Sequence, residues 1–148
     1  MIKEIIPFES HHVDLMDLRK IDAASIGCVS EYEEILRNFQ TSRYSFTGVK
    51  DGEIVAVGGM MPMWEGVGEG WAITSTLIHK EIFWFHRFVV RDIVGKMKER
   101  KIHRLQATVH QDNTISMKWL KRMNFIEEGC LHKYSPDGAD YYMYARIR

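Results

Sequence analysis

The stretch that most limits what this chain can fold into is ATVHQDNTISMKWLKRMNFIEEGC, from Ala107 to Cys130, which confines a strand, a capped helix and a second strand to one short run. Leu105, Ala107 and Val109 alternate with polar neighbours, as a half-buried strand does. Asp112 or Asn113 then supplies the side-chain acceptor that a helix N-terminus needs. Ile115, Trp119 and Met123 recur at one-turn spacing with Ser116 and Leu120 on the adjoining stripe, which predicts a core face opposite the basic outer face of Lys118, Lys121 and Arg122. A new strand is predicted from Phe125.

The rest of the chain completes an α+β order in a single domain, residues 1–148. Ile2 to Ile6 reads as a strand that Pro7 ends, because proline removes a ladder donor. His12 to Lys20 and Glu31 to Arg43 read as two helices, the second with Ser30 as N-cap and Glu33 at the capping-box position. Asp51-Gly52, flanked by FTGV and IVAV, predicts a tight hairpin. Gly66, Gly68 and Gly70 loosen the next connection, which delivers the chain into the strand WAITSTLI. A long amphipathic helix follows from about His79 to Lys101, with Ile82, Phe85, Val89, Ile93 and Met97 inward. Lys96, Lys98, Arg100 and Lys101 then fall in its last turns, where cations complement the helix dipole. The strand-helix-strand step from Trp71 through Val109 predicts a parallel crossover, and a terminal hairpin closes the chain.

Composition excludes several classes of function. Twenty basic and twenty acidic residues cancel, so no whole-protein field gathers nucleic acid or an acidic membrane surface. The N-terminus MIKEIIPFESHH lacks the apolar run of a signal peptide, and IFWFHRFVV, interrupted by His86 and Arg87, falls far short of the roughly 20 residues a membrane helix requires. A soluble, cytoplasmic protein is expected. Cys28 and Cys130 lie far apart without metal or redox spacing, which favours reduced thiols. His79 with His86, or His103 with His110, lack a third ligand, so no metal is expected. Neither a nucleophile elbow, nor G-x-G-x-x-G, nor a Walker loop occurs.

The frame N-x-x-S-x-x-W-L-x-x-x-N-F, carried by Asn113, Ser116, Trp119, Leu120, Asn124 and Phe125, resembles the closing motif of the GNAT acyltransferase superfamily. Asn124 stands where the family usually has glycine, and asparagine also tolerates the left-handed backbone of a helix end. The resemblance extends upstream: FTGVKDGEIVAVGGMMPM is similar to the family's central hairpin, GEGWAITSTLI to its splayed fourth strand, and His79 to Lys101 to its central helix. The order and spacing are particularly similar to those of short GNAT-like proteins of tailed bacteriophages. The implied fold is a mixed, twisted sheet of six to seven strands with flanking helices and a splayed parallel pair, the fourth and fifth strands.

The implied activity is transfer of an acetyl group from acetyl-CoA to a primary amine of a small molecule or protein, by direct attack in a ternary complex. On this resemblance Ile73, Thr74 and Ser75 hold the pantetheine arm, and amides between Leu77 and Ile82 face the pyrophosphate, as a helix N-terminus suits an anion. The family's glycine-rich loop is absent: TLIHKEIF stands in its place, leaving His79 and Lys80 to contribute charge. Glu69 occupies the usual place of the general base, with Glu65 a nearby substitute. Leu120 occupies the usual place of the tyrosine acid, so Ser116 or one of Tyr134, Tyr141 and Tyr142 is left for that role. Asn113 either caps its helix or reaches the cofactor. His110, ending the fifth strand beside the expected cleft, is a further candidate base, and Trp64 is the tryptophan placed to meet substrate. The alternative reading is a non-catalytic GNAT-like protein-binding module. The terminal hairpin is where a homodimer contact is expected.

Overall fold

The computed structural model describes residues 3–148. Its framework is one seven-stranded mixed sheet in the order β1-β2-β3-β4-β5-β7-β6. The strands are β1 (Lys3–Pro7), β2 (Phe46–Lys50), β3 (Glu53–Trp64), β4 (Val67–Thr74), β5 (Arg104–His110), β6 (Ile126–Leu131) and β7 (Tyr141–Ile147). The helices are α1 (Lys20–Gly27), α2 (Tyr32–Thr41), α3 (Ile78–Asp92) and α4 (Thr114–Arg122). Every neighbouring pair is antiparallel except β4 and β5, which run parallel.

The turn between β2 and β3 places Asp51 at φ 50° and Gly52 at φ 81°, the pair of left-handed residues that a two-residue hairpin of right-handed twist requires. Asn124, directly after α4, sits at φ 64° and meets the backbone demand usually met by glycine. One apolar cluster, including Phe46, Met60, Phe85, Val89, Leu105 and Tyr144, joins the sheet to α3 and α4. A second, made of Phe8, Val13, Leu36, Val57 and Ile73, lies against α2 and the segment before α1. Glu81, in the first turn of α3, is buried and pairs with Lys50 and with Lys3 at 3.2 Å, tying that helix to the edge of β1 and β2. The Lys50 ammonium holds the Glu81 carboxyl below its ordinary range.

Several boundaries differ from the sequence expectation. The expected first strand begins at Ile2, which lies outside the described residues. Ser10–Leu15 forms a 3₁₀ turn in place of a helix to Lys20, and Leu18 instead bridges Ser75 as extended chain before α1 begins. α1 escaped the periodicity argument because its residues KIDAASIG set apolar side chains all round and none is buried. Glu31, not Ser30, precedes the first turn of α2, and no side chain caps it. Gly68 and Gly70 are strand residues, and only Gly66, at φ 82°, serves the turn. α3 stops at Asp92, so Lys96, Lys98, Arg100 and Lys101 lie in a 3₁₀ turn and the following loop, where no extended dipole acts on them. Ile115 is 61% exposed, because the core stripe of α4 passes through Leu120 and Met123.

Candidate functional site

β4 and β5 share only three register pairs, Val67↔Arg104, Gly68↔Leu105 and Glu69↔Gln106, and then separate. Beyond Glu69 the outer edge of β4 therefore faces an opening. Alternate residues of a strand direct their N–H and C=O groups to opposite sides. Ser75 donates its N–H to Val55 O at 3.0 Å, so Ile73 and Ser75 turn their backbone groups toward β3. Ala72 and Thr74 turn theirs toward the opening. There the chain supplies part of its own partner: Arg19 N donates to Thr74 O at 3.3 Å and Thr76 N to Asp17 O at 2.9 Å. The Ala72 N–H and C=O and the Thr74 N–H remain on the open edge.

A cavity of about 230 Å³ fills the opening, walled by Ala72 on β4, Ala107 and His110 on β5, Trp119 and Leu120 on α4, and Tyr141 on β7. Ile21, Asp22 and Ser25 of α1 and Tyr32 of α2 close its far side. A second cavity of about 250 Å³ lies at the mouth, lined by Arg19, Thr74 and His79. Asn113, Ser116 and Trp119 line both, as do Asp22, Ala72 and Phe85, so the first turns of α4 form part of the wall they share. Trp119 is held there by its indole N–H donating to His86 Nδ1 at 2.9 Å and by its tilted contact with Phe85.

The sequence candidates fall into distinct places. Asn113 is the N-cap of α4: its Oδ1 accepts from Ser116 N at 3.3 Å while its side chain borders the cavities. His110 reaches the main cavity with its ring against Tyr141, and its Nδ1 accepts from Asp112 N at 3.0 Å. Ser116 is half-buried between the cavities. Thr74 borders the mouth, where its hydroxyl donates to Asp22 at 3.1 Å. Ile73 is buried and packs toward α2 as well as lining the main cavity. Ser75 is 1% exposed, and its hydroxyl donates to Val55 O and accepts from Leu77 N. Lys80 is exposed outside both cavities, and His79 lines the mouth.

Glu69 stands at the last paired position, on the β4 face shared with Trp71 and Ile73. Its side chain forms no hydrogen bond or ion pair among the described residues, and burial pushes its carboxyl above the ordinary range. Its partner Gln106 lies four residues before His110, about 13 Å of strand. Glu69 and His110 therefore cannot touch the same proton directly. Of the three terminal tyrosines, Tyr141 reaches the cavity, whereas Tyr134 is 53% exposed. Trp64 is 66% exposed at the β3–β4 turn, away from the opening.

The start of α3 offers less to an anion than its position implies. Leu77 N is bonded to Ser75 Oγ, Ile78 N to Ser75 O, and both Lys80 N and Glu81 N to Leu77 O. From Leu77 to Glu81, His79 alone presents an N–H without a protein acceptor among the described residues. The first turn has closed on itself because no glycine holds the chain open there.

Sequence reasoning missed α1 and Tyr32 as walls of the site. Burial raises the Tyr32 phenol strongly, with the nearby Asp22 carboxylate adding to the effect. Its hydroxyl is thereby kept neutral, as a hydrogen-bonding wall rather than a charge. No local signal marks these residues, since α1 is not amphipathic and reaches the cleft only through the Leu18 bridge.

Comparison with solved structures finds the same architecture among acetyltransferases. Ard1 from Thermoplasma volcanium superposes with a TM-score of 0.78 at 14% identity, covering 98% of this chain and 97% of that one. A GNAT-family acetyltransferase from Bacillus anthracis gives 0.69 at 20% identity over 98% and 94%. The ribosomal-protein-S18-alanine N-acetyltransferase from Escherichia coli gives 0.68 at 15% over 99% and 94%. No family model matches the sequence, and no curated protein matches it. At these identities the likeness is one of fold: this chain has the GNAT fold, with the parallel splayed pair that its sequence led one to expect. None of the structures named is a phage protein, and the phage likeness gains no support from them.

Proposed function

We propose that this protein is an N-acetyltransferase that moves an acetyl group from acetyl-CoA to a primary amine of a small molecule or protein, in a ternary complex. The observation that carries the reading is the open edge of β4, where the Ala72 N–H and C=O and the Thr74 N–H have no strand partner, facing the two adjoining cavities that lie between the start of α3, α1 and Tyr141. An extended amide-bearing arm adds to such an edge as a further strand does. The residues present fit that ligand in part: Ala72 and the Thr74 N–H for the arm, and the His79 amide for its phosphates, with Arg19 at the mouth already paired to Asp22 at 2.9 Å and Lys80 a charge outside the cavities.

In the reaction the amine nitrogen attacks the thioester carbonyl; a C–N bond forms, the C–S bond breaks, and the amine's proton is passed on while the sulfur leaves as a thiolate that is then protonated. Glu69 is the proposed base, acting through water. Its burial suits the task, because a carboxylate of raised pKa is the stronger proton acceptor when ionised. His110 is the alternative base, and Tyr141 and Ser116 are the cavity hydroxyls nearest in role to a thiolate acid. Positioning supplies much of the acceleration in an already activated thioester. The reading includes a cytoplasmic setting, consistent with two free cysteines, and a homodimer contact at the outer hairpin, where Ile126 and Ile147 are exposed.

A second reading, a protein-binding module without catalysis, is favoured by the closed first turn of α3 and by the Asp17–Arg19 segment on the β4 edge. Calorimetric titration with acetyl-CoA, followed by release of free thiol over a panel of amines, separates the two. Saturable binding with amine-dependent thiol release supports the transferase. Absence of CoA binding, or binding without transfer to any amine, supports the module.

A further inference from the structure

The hairpin of β6 and β7 carries a cluster with no part in the cleft chemistry above. Cys130 is the penultimate residue of β6, and His132 lies in the turn directly after the strand. Leu131 pairs with Tyr141, which sets Asp140 across from His132. The three ligand atoms lie close together: Cys130 Sγ to His132 Nδ1 is 3.7 Å, Cys130 Sγ to Asp140 Oδ2 is 3.8 Å, and His132 Nδ1 to Asp140 Oδ2 is 3.3 Å.

Those separations match one face of a zinc tetrahedron. With bond lengths of about 2.3 Å to sulfur and about 2.05 Å to nitrogen or oxygen, tetrahedral angles put sulfur ~3.5–3.6 Å from the lighter ligands, and those ~3.4 Å from each other. A contraction of about 0.2 Å at the sulfur completes the fit. The remaining Asp140 oxygen already accepts from Lys133 N at 2.9 Å, so the carboxylate is oriented by a second bond, as metal-binding carboxylates are. Asp140 O also accepts from Gln111 N, which connects the cluster to the junction of β5 and α4. The His132 side chain is 79% exposed, so a fourth position opens to water.

We propose that Cys130, His132 and Asp140 form a zinc site with one open coordination position. It clasps the β6–β7 hairpin and holds the backbone next to Tyr141. A thiolate, an imidazole and one carboxylate form a donor set suited to zinc rather than to calcium or magnesium, which take oxygen. The sequence reading passed over it because Cys-x-His with an aspartate eight residues on becomes a cluster only when the hairpin forms. The site is independent of the acetyl-transfer reading and is tested without acetyl-CoA.

The test is titration of chelator-treated, reduced protein with Co²⁺ alone, followed by absorbance. A near-ultraviolet thiolate-to-cobalt charge-transfer band with the intense visible bands of four-coordinate cobalt, both displaced by one equivalent of Zn²⁺, is the expected result. Cys130→Ser should abolish the charge-transfer band, Cys28→Ser should keep it, and His132→Ala, an exposed position, should weaken binding at least about tenfold. The other His/Glu cluster, Glu9 with His11 and His12, contains no sulfur and cannot produce that band. No band in the wild type, or a band that survives Cys130→Ser, overturns the proposal.

Discussion

Ser75→Ala separates scaffold from ligand site at the end of β4. The hydroxyl donates to Val55 O at 3.0 Å and accepts from Leu77 N at 3.2 Å in a residue 1% exposed. Val55 O keeps the Ser75 N–H at 3.0 Å after the substitution, so the loss falls on Leu77 N, which has no other acceptor among the described residues. An orphaned buried amide costs about 1–3 kcal/mol, and the half-buried setting of Leu77 places this one near about 1.5 kcal/mol. For a domain of this size that is a fall of about 3–6 °C in Tm. Scanning calorimetry with and without saturating acetyl-CoA is the assay. Both traces should fall together, leaving the ligand-induced rise intact, because the hydroxyl faces β3 and not the opening. An unchanged Tm with a lost ligand-induced rise would refute the reasoning and return Ser75 to the cofactor site.

Four further outcomes are expected. Glu69→Gln should lower turnover by about 10²-fold or more with acetyl-CoA affinity nearly intact, and a loss of less than a few-fold in steady-state assays removes Glu69 as base. Because burial raises the Glu69 pKa in the fold, its protonated form is the one the fold favours. The wild type therefore loses stability as pH rises from the ordinary carboxylate range through the raised value, and Glu69→Gln should abolish that loss in denaturant melts at stepped pH. Leu120→Tyr places a phenol where Leu120 lines the cavity and should raise turnover if thiolate protonation limits the rate; a folded variant with unchanged turnover shows that it does not. Asn113→Ala should cost about 1 kcal/mol of stability through the lost cap, and a fall in acetyl-CoA affinity beyond experimental error would show that the amide also meets ligand.

The readable parts of this chain were those in which a local rule and the tertiary demand coincide. Asp51-Gly52 made its hairpin because the turn needs two left-handed residues wherever it lies, and Asn124 ended α4 for the same kind of reason. Strand alternation around Leu105 and Val109, and the inward positions Phe85 and Val89 of α3, were legible because burial selects one face at a fixed period. The lysine-rich run after α3 misled because helical spacing persists in residues 93–101 although the backbone has already turned. Gly68 misled because a strand tolerates glycine when a neighbour is close: a Cβ there would sit 2.4 Å from the Met60 sulfur, whereas one on Gly70 would make only ordinary contact, 3.7 Å from Gln106 O.

What the amino-acid order determined by itself was the order of the strands and of α2, α3 and α4, though not α1, because caps, turns and periodicity act within a few residues. Tertiary structure alone decided which chemistry stands together. The cleft unites residues from α1, β4, β5, α4 and β7, and Cys130 meets Asp140 only across a hairpin. The direction of each backbone group at the β4 edge follows from register, and one step of register would turn Ala72 and Thr74 away from the opening. The closure of the first turn of α3 likewise depends on Ser75 being seated against Val55. Such contacts join distant residues, so no window of sequence contains them.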